Sequence, residues 1–105
     1  MVIYNQKEGK RIMLFQIGSV VTTNGVYEKC ESDAKFHEFV RKSFSRHING
    51  DWGDLCDEDK EMNNLAVKNG DDRILSRYDY DEDHVIYIIT EWDRSVTTIL
   101  FTYEY

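Results

Sequence analysis

Proline is absent from this chain of 105 residues, and cysteine occurs only twice. Without proline there can be no PxxP ligand and no Pro-rich linker. Cys30 and Cys56 stand far apart and match no CxxC pattern, so they read as reduced thiols of a cytoplasmic protein. Long apolar runs are missing as well, and no membrane span is expected. The early stretch "IMLFQIGSVV" lacks the small-residue cleavage site of a signal peptide and reads better as a strand leading into a turn.

Positive charge is scarce. Thirteen Lys and Arg face twenty Asp and Glu, which leaves a net charge of −7 and a pI near 4.8. Such a field repels phosphate backbones. The nearest thing to a basic patch, Arg41, Lys42 and Arg46 on one predicted helix, is diluted by Glu38 and by the acids that follow. Direct nucleic-acid binding is therefore not expected. A basic protein surface is a better partner, including one that normally holds nucleic acid, because opposite fields steer encounter.

What is present is the composition of a globular domain, 41% apolar, 13% aromatic and 31% charged. The length suits one domain over 1–105, with residues 1–10 as a loose N-terminal segment. "RIMLFQIGSVVTT" is rich in strand formers, with Gly18 as a bulge or bend, and "TNG" turns the chain. "VYEKC" fits either a short strand or a helical turn. From Asp33 the pattern becomes helical. Phe36, Phe39, Val40, Phe44 and His47 recur at three- and four-residue spacing as a core-facing stripe, capped by Ser32 or Asp33 and ended by Asn49-Gly50. A second helix is predicted from Asp57, capped by that side chain, with Met62, Leu65 and Ala66 as its apolar face and Asn69-Gly70 as its stop. Three strands follow over 72–80, 84–92 and 95–103, the middle one apolar on both sides and therefore central. The expected fold class is α+β, two helices packed on an antiparallel sheet of about four strands.

Three stretches carry candidate chemistry. "RHINGDWGDLCDED" places His47, Asp51 and Asp54 around two glycines and Trp52. Each part has a packing role: glycines for a sharp helix connection, Asp51 for backbone hydrogen bonds, Trp52 as a plug. The same residues could serve as a general base or metal ligands. "DYDEDHVIYIITE" puts Asp79, Asp81 and Asp83 at the first positions of an EF-hand-like loop. His84 then replaces the required glycine and Thr90 the bidentate acid, so a solvated acidic hairpin is the better reading. In "ITEWDRSVTTIL", Asp93 suits a tight turn and Arg94 either clamps an anion or pairs within the fold. His47, Asp51, Glu91, Asp93 and Arg94 would make a metal-assisted hydrolytic site only if the fold brought them together. No glycine-rich phosphate loop or GxSxG elbow is present, and no cofactor or resident metal is called for.

Taken together, "FSRHINGDWGDLCDEDKEMNNLAVKNGDDRILSRY", "VIYIITEWDRSVTTILF" and the terminal "EY" resemble a family of small bacterial proteins encoded on plasmids, integrative elements and phages. The resemblance rests on His47, Gly50, Asp51, Trp52, Gly53, Asp59, Asn63, Arg73, Ser76, Tyr78, Thr90, Glu91, Asp93, Arg94, Thr97 and Thr98. Relatives tend to close with Pro-x-Glu-Tyr, where this chain has Thr102-Tyr103-Glu104-Tyr105. The family carries no assigned activity. Its setting implies a role in the affairs of mobile elements, such as inhibition of a host or defence protein in the manner of anti-CRISPR or anti-restriction proteins. The leading expectation is thus a non-enzymatic binder of a host or defence protein with a basic surface. Its contact residues would be Asp51, Trp52, Asp54, Asp79, Asp81, Glu82 and Asp83, with Trp52 as the anchor. The alternatives are the small hydrolase above and a homo-oligomeric module whose edge strands form a dimer.

Overall fold

Thr23 decides the first half of the fold. Its hydroxyl accepts from the Val26 N–H at 3.3 Å, so the chain enters a helix where a simple turn was expected. The computed structural model describes residues 13–105, and the expectation of a loose segment over residues 1–10 lies outside them. Strand β1 (Ser19–Thr22) runs directly into α1 (Asn24–Ser32), whose Val26 and Cys30, four residues apart, are buried. Asp33 then caps α2 (Ala34–Ile48) by accepting from the Phe36 N–H at 3.1 Å. A third helix, α3 (Asp57–Asn69), precedes strands β2 (Ile74–Asp81), β3 (His84–Thr90) and β4 (Val96–Phe101), and the chain closes in a short 3-10 turn (Thr102–Glu104).

The class is α+β, with three helices instead of two and one parallel pair in the sheet. Strand order is β1-β4-β3-β2, with β3 inside as its apolar pattern implied and β4 inside beside it. Strands β2, β3 and β4 form an antiparallel meander, whereas β1 pairs parallel to β4. The parallel partners are far apart in the chain, with α1, α2, α3, β2 and β3 between them, so no hairpin joins them. Strand β1 is also shorter than expected. The chain before it bends so that Phe15 packs on the His47 and Trp52 rings, with centroids 5.4 and 6.0 Å away. Gly18, at φ +64°, brings the backbone so close to Ser95 that an added Cβ would lie 2.2 Å from its carbonyl oxygen.

Side-chain alternation separates the two sheet faces. Val20, Tyr78, Ile86, Ile88, Ile99 and Phe101 point to one face and meet Val26, Phe36, Val40 and Ile48 from α1 and α2 in the main core. Trp52, Ala66 and Ile74 form a smaller cluster under α3. Helix α3 departs from its expected form at two places. Its N-cap is Cys56, with no side-chain capping bond, because Asp57 is already the first helical residue. Its inward face is Asn63 and Ala66, while Met62 and Leu65 are exposed. No helix among the described residues is long and apolar enough to cross a membrane.

Candidate functional site

The segment between α2 and α3 lies along the outer edge of β2 and seals it. Gly53 forms a parallel bridge with Arg77. The Arg77 N–H donates to the Trp52 carbonyl at 3.2 Å, and its carbonyl accepts from the Asp54 N–H at 2.7 Å. One register step on, the Asp79 N–H donates to Asp54 Oδ2 at 3.1 Å. One step back, Asn63 acts as a substitute strand. Its Nδ2 donates to the Leu75 carbonyl at 2.7 Å, and its Oδ1 accepts from the Leu75 N–H at 3.1 Å. The outward backbone groups of β2 at Leu75, Arg77 and the Asp79 N–H thus all have partners, so this edge cannot template pairing with another chain. Gly53 is required for it: at φ +79° an added Cβ would fall 1.9 Å from the Arg77 carbonyl oxygen.

Asp51 and Trp52 hold this seal in place. The Asp51 carboxylate takes two bonds from Arg46, Nε at 2.7 Å and Nη2 at 3.1 Å, and accepts from the Gly53 N–H at 3.1 Å. The Arg46 contact holds its carboxyl below the usual range. The Arg46 guanidinium also lies over the Tyr78 ring at 4.9 Å, and Tyr78 Oη donates to the Asp51 carbonyl at 2.7 Å. Trp52, expected as an anchor for a partner, is only 4% exposed and belongs to the protein's own core. Its ring packs beside Phe15 and His47, and its Nε1–H donates to Asn64 Oδ1 at 2.9 Å. It is the plug beneath the turn.

His47 is fully buried and carries no reactive geometry. Its Nδ1 lies 2.6 Å from Ser76 Oγ and its Nε2 2.9 Å from Thr90 Oγ1. Thr90 Oγ1 is 2.7 Å from Thr97 Oγ1, which donates to the Ile17 carbonyl at 2.7 Å. Thr97 has one proton and gives it to Ile17, so it must accept from Thr90, and Thr90 from His47. One assignment satisfies every atom: a neutral imidazole protonated at Nε2, with Nδ1 accepting from Ser76. Burial pushes the pKa of His47 down to about 3.

The remaining members of the proposed hydrolytic set are dispersed in role. Arg94, at φ +61°, spends its guanidinium on carbonyls: Nη1 on Asp72 at 2.6 Å, Glu91 at 3.1 Å and Trp92 at 3.3 Å, and Nη2 on Ala66 at 3.0 Å. It ties the last turn of α3 to the β3–β4 connection and leaves no fork for an anion. Asp93 accepts from Ser95 Oγ at 2.6 Å and the Ser95 N–H at 3.0 Å, bonds that keep its carboxyl below the ordinary range. Glu91 is half-buried, and its carboxylate makes no hydrogen bond among the described residues. Among the described residues no side-chain hydrogen bond or ion pair joins any two of these five, apart from Arg94 to the Glu91 backbone. No group of three His, Cys, Asp or Glu among them could hold a metal ion.

The acids of the β2–β3 hairpin divide by role. Asp79 pairs with Arg77 at 3.0 Å. Asp81 accepts from the Asp83 N–H at 2.9 Å and lies 2.8 Å from His84 Nδ1, so it orders the turn. Glu82 and Asp83 point outward with unengaged carboxylates. Across the seal, Asp54, Asp57, Glu58, Asp59 and Glu61 are exposed too, with Met62 at 59% and Leu65 at 44% beside them. Behind this wall, α3, the β2 side and Tyr105 enclose an open cleft of about 600 Å³ lined by Arg73, Arg77 and Tyr87.

Sequence reasoning missed this α3 surface because it assigned Met62 and Leu65 inward. The signal was Asn63: a polar residue in register with Ala66 marks the buried side when it has a strand edge to pair. No family model, curated protein or solved structure matches the chain.

Proposed function

We infer that the chain is a non-enzymatic binding protein that engages a basic surface on a protein partner through the acid-rich side flanking the β2 edge. One observation carries the reading. Asp51, Asp54, the run from Asp57 to Asp59 and Glu61 flank the sealed edge, and Asp79, Asp81, Glu82 and Asp83 continue along it, all exposed, with Arg46, Lys60, Arg73 and Arg77 among them. Such a surface accelerates encounter with a basic partner and supplies charge-paired contacts at its rim, while Met62 and Leu65 offer apolar area among the acids. Trp52 has no part in the contact. The resemblance to proteins of mobile elements directs the choice of partner. It is a cytoplasmic host or defence protein whose basic site handles nucleic acid, occupied in the manner of an anti-CRISPR or anti-restriction inhibitor.

The test uses a variant with Glu58, Glu61, Glu82 and Asp83 changed to Lys. None of these carboxylates accepts a hydrogen bond among the described residues, so the fold is expected to survive, as circular dichroism would show. Immobilised wild-type protein is exposed to host lysate and the bound proteins are identified by mass spectrometry. The expected result is one stoichiometric partner that releases its nucleic acid on binding, is eluted by salt and is not retained by the variant. A partner held equally by the folded variant, or no partner from any host lysate, would overturn the reading.

A further inference from the structure

We propose that Trp92 is the anchor of the partner contact, its indole face receiving an arginine side chain of the basic partner. The proposal rests on the reading above that such a partner is bound. Of the two tryptophans, Trp52 is buried in the core, whereas Trp92 is 63% exposed on the β3–β4 turn. Its indole makes no hydrogen bond or ring contact among the described residues, and only its carbonyl is engaged, by Arg94. The turn beneath it is held firmly. The Arg94 N–H donates to the Glu91 carbonyl at 2.9 Å and the Glu91 N–H to the Val96 carbonyl at 3.0 Å, so Trp92 takes the second position of a tight turn. Arg94, at φ +61°, occupies the left-handed position that ordinarily falls to glycine. A glycine would relieve that backbone but lose the four carbonyl bonds with which the guanidinium ties the turn to Ala66 of α3 and to Asp72. A strained turn kept in place by such a clamp has little freedom left to lose when a partner seats on it.

The clamp also joins Trp92 to the acidic helix. One guanidinium holds the Trp92 and Ala66 carbonyls, at 3.3 and 3.0 Å, which sets the turn beside the last part of α3. On that helix Glu58, Glu61, Met62 and Leu65 recur at three- and four-residue spacing on one face, all exposed. The acids stand towards its start, and the apolar residues lead towards Trp92. An apolar centre with charges at its border is the layout of a protein contact. The immediate neighbours of Trp92 select arginine. Asp93 is occupied by Ser95, but the Glu91 carboxylate makes no hydrogen bond or ion pair among the described residues. Arg94 is committed to carbonyls and does not pair with it. A guanidinium lying flat on the indole can donate from its edge to Glu91 at the same time. A lysine ammonium, a compact point charge, would meet the carboxylate and cover less of the ring.

Nuclear magnetic resonance on the wild-type chain tests it, with hexa-arginine as the probe at low ionic strength. The two indole N–H resonances are assigned with Trp92→Phe. The Trp92 indole is expected to shift to saturation with the Glu91 and Asp93 amides, while the Trp52 indole stays in place. Trp92→Ala keeps every backbone bond of the turn and should bind the peptide about two- to fivefold more weakly. A protein partner recovered from lysate should bind the same variant at least about tenfold more weakly. Peptide shifts on the α3 and hairpin amides with the Trp92 indole unmoved, or unchanged affinity of the folded variant for peptide or partner, would defeat the anchor and leave the basic-partner reading standing. A peptide that binds nowhere on the chain would remove that reading and the anchor with it.

Discussion

Acidification should unfold this protein partly through one residue. His47 is buried and neutral, its pKa pushed down by burial from 6.5 to about 3. The unfolded chain therefore takes up this proton first as pH falls. The stability linked to His47 is complete above about pH 6.5 and is lost progressively between there and pH 3, at about 1.4 kcal/mol per pH unit. Between pH 7 and pH 4.5 the loss amounts to roughly 2–3 kcal/mol. Protonation at Nδ1 would also turn the acceptor of Ser76 into a second donor and break the hydrogen bond that Ser76 donates. The control is His47→Gln, which keeps a donor and an acceptor but cannot titrate. It should be less stable at pH 7 by about 1–3 kcal/mol, the cost of imperfect buried hydrogen bonds. Urea unfolding of both proteins at several pH values, with His37 and His84 common to each, isolates the term. The expected result is a wild-type curve that falls more steeply than the variant's between pH 6.5 and 4.5. Parallel curves would refute the buried neutral imidazole.

Three substitutions test the other structural assignments. Gly53→Ala forces a methyl group onto the Arg77 carbonyl and should cost about 3–5 kcal/mol, read as a lower urea midpoint; a loss under 1 kcal/mol would mean the segment lies off the strand edge. Trp52→Ala should cost about 3–5 kcal/mol and leave partner binding intact once the protein is folded, whereas a selective loss of binding would restore Trp52 as a contact residue. Arg94→Lys keeps the charge but cannot span four carbonyls, and should destabilise by about 1–3 kcal/mol; unchanged stability would free the guanidinium for an anion-binding role.

The parts of this fold that were readable from sequence are those written in periodicity. The Phe36–Val40–His47 stripe, the alternation around Ile86 and Ile88, the Asn49-Gly50 and Asn69-Gly70 stops and the central place of β3 all follow from apolar spacing and glycine. Local reading failed where a long-range partner decides. Thr23 reads as part of a turn until Val26 and Cys30 are seen to have a core to enter. The parallel partner of β1 is β4, which lies three helices and two strands further along the chain. Met62 and Leu65 looked buried because they are apolar, yet Asn63 takes the inner side through two backbone groups of β2. His47, Ser76, Thr90 and Thr97 are spread over four elements, and no spacing rule shows that they meet in one chain of hydrogen bonds. The acids of the hairpin were recognised as surface residues, and their continuity with α3 became visible only once Asp54 and Asp79 were placed together.

The central claim is that the segment around Gly53, with Asn63, is the closing rung of the sheet and not a reactive loop. Native-state amide exchange at Leu75 and Arg77 tests it most directly. Both amides should be protected about a thousandfold or more, alongside those of β3, and Asn63→Ala should release Leu75 well before Arg77. Exchange of both at the rate of an uncovered edge strand in the wild type would contradict the account.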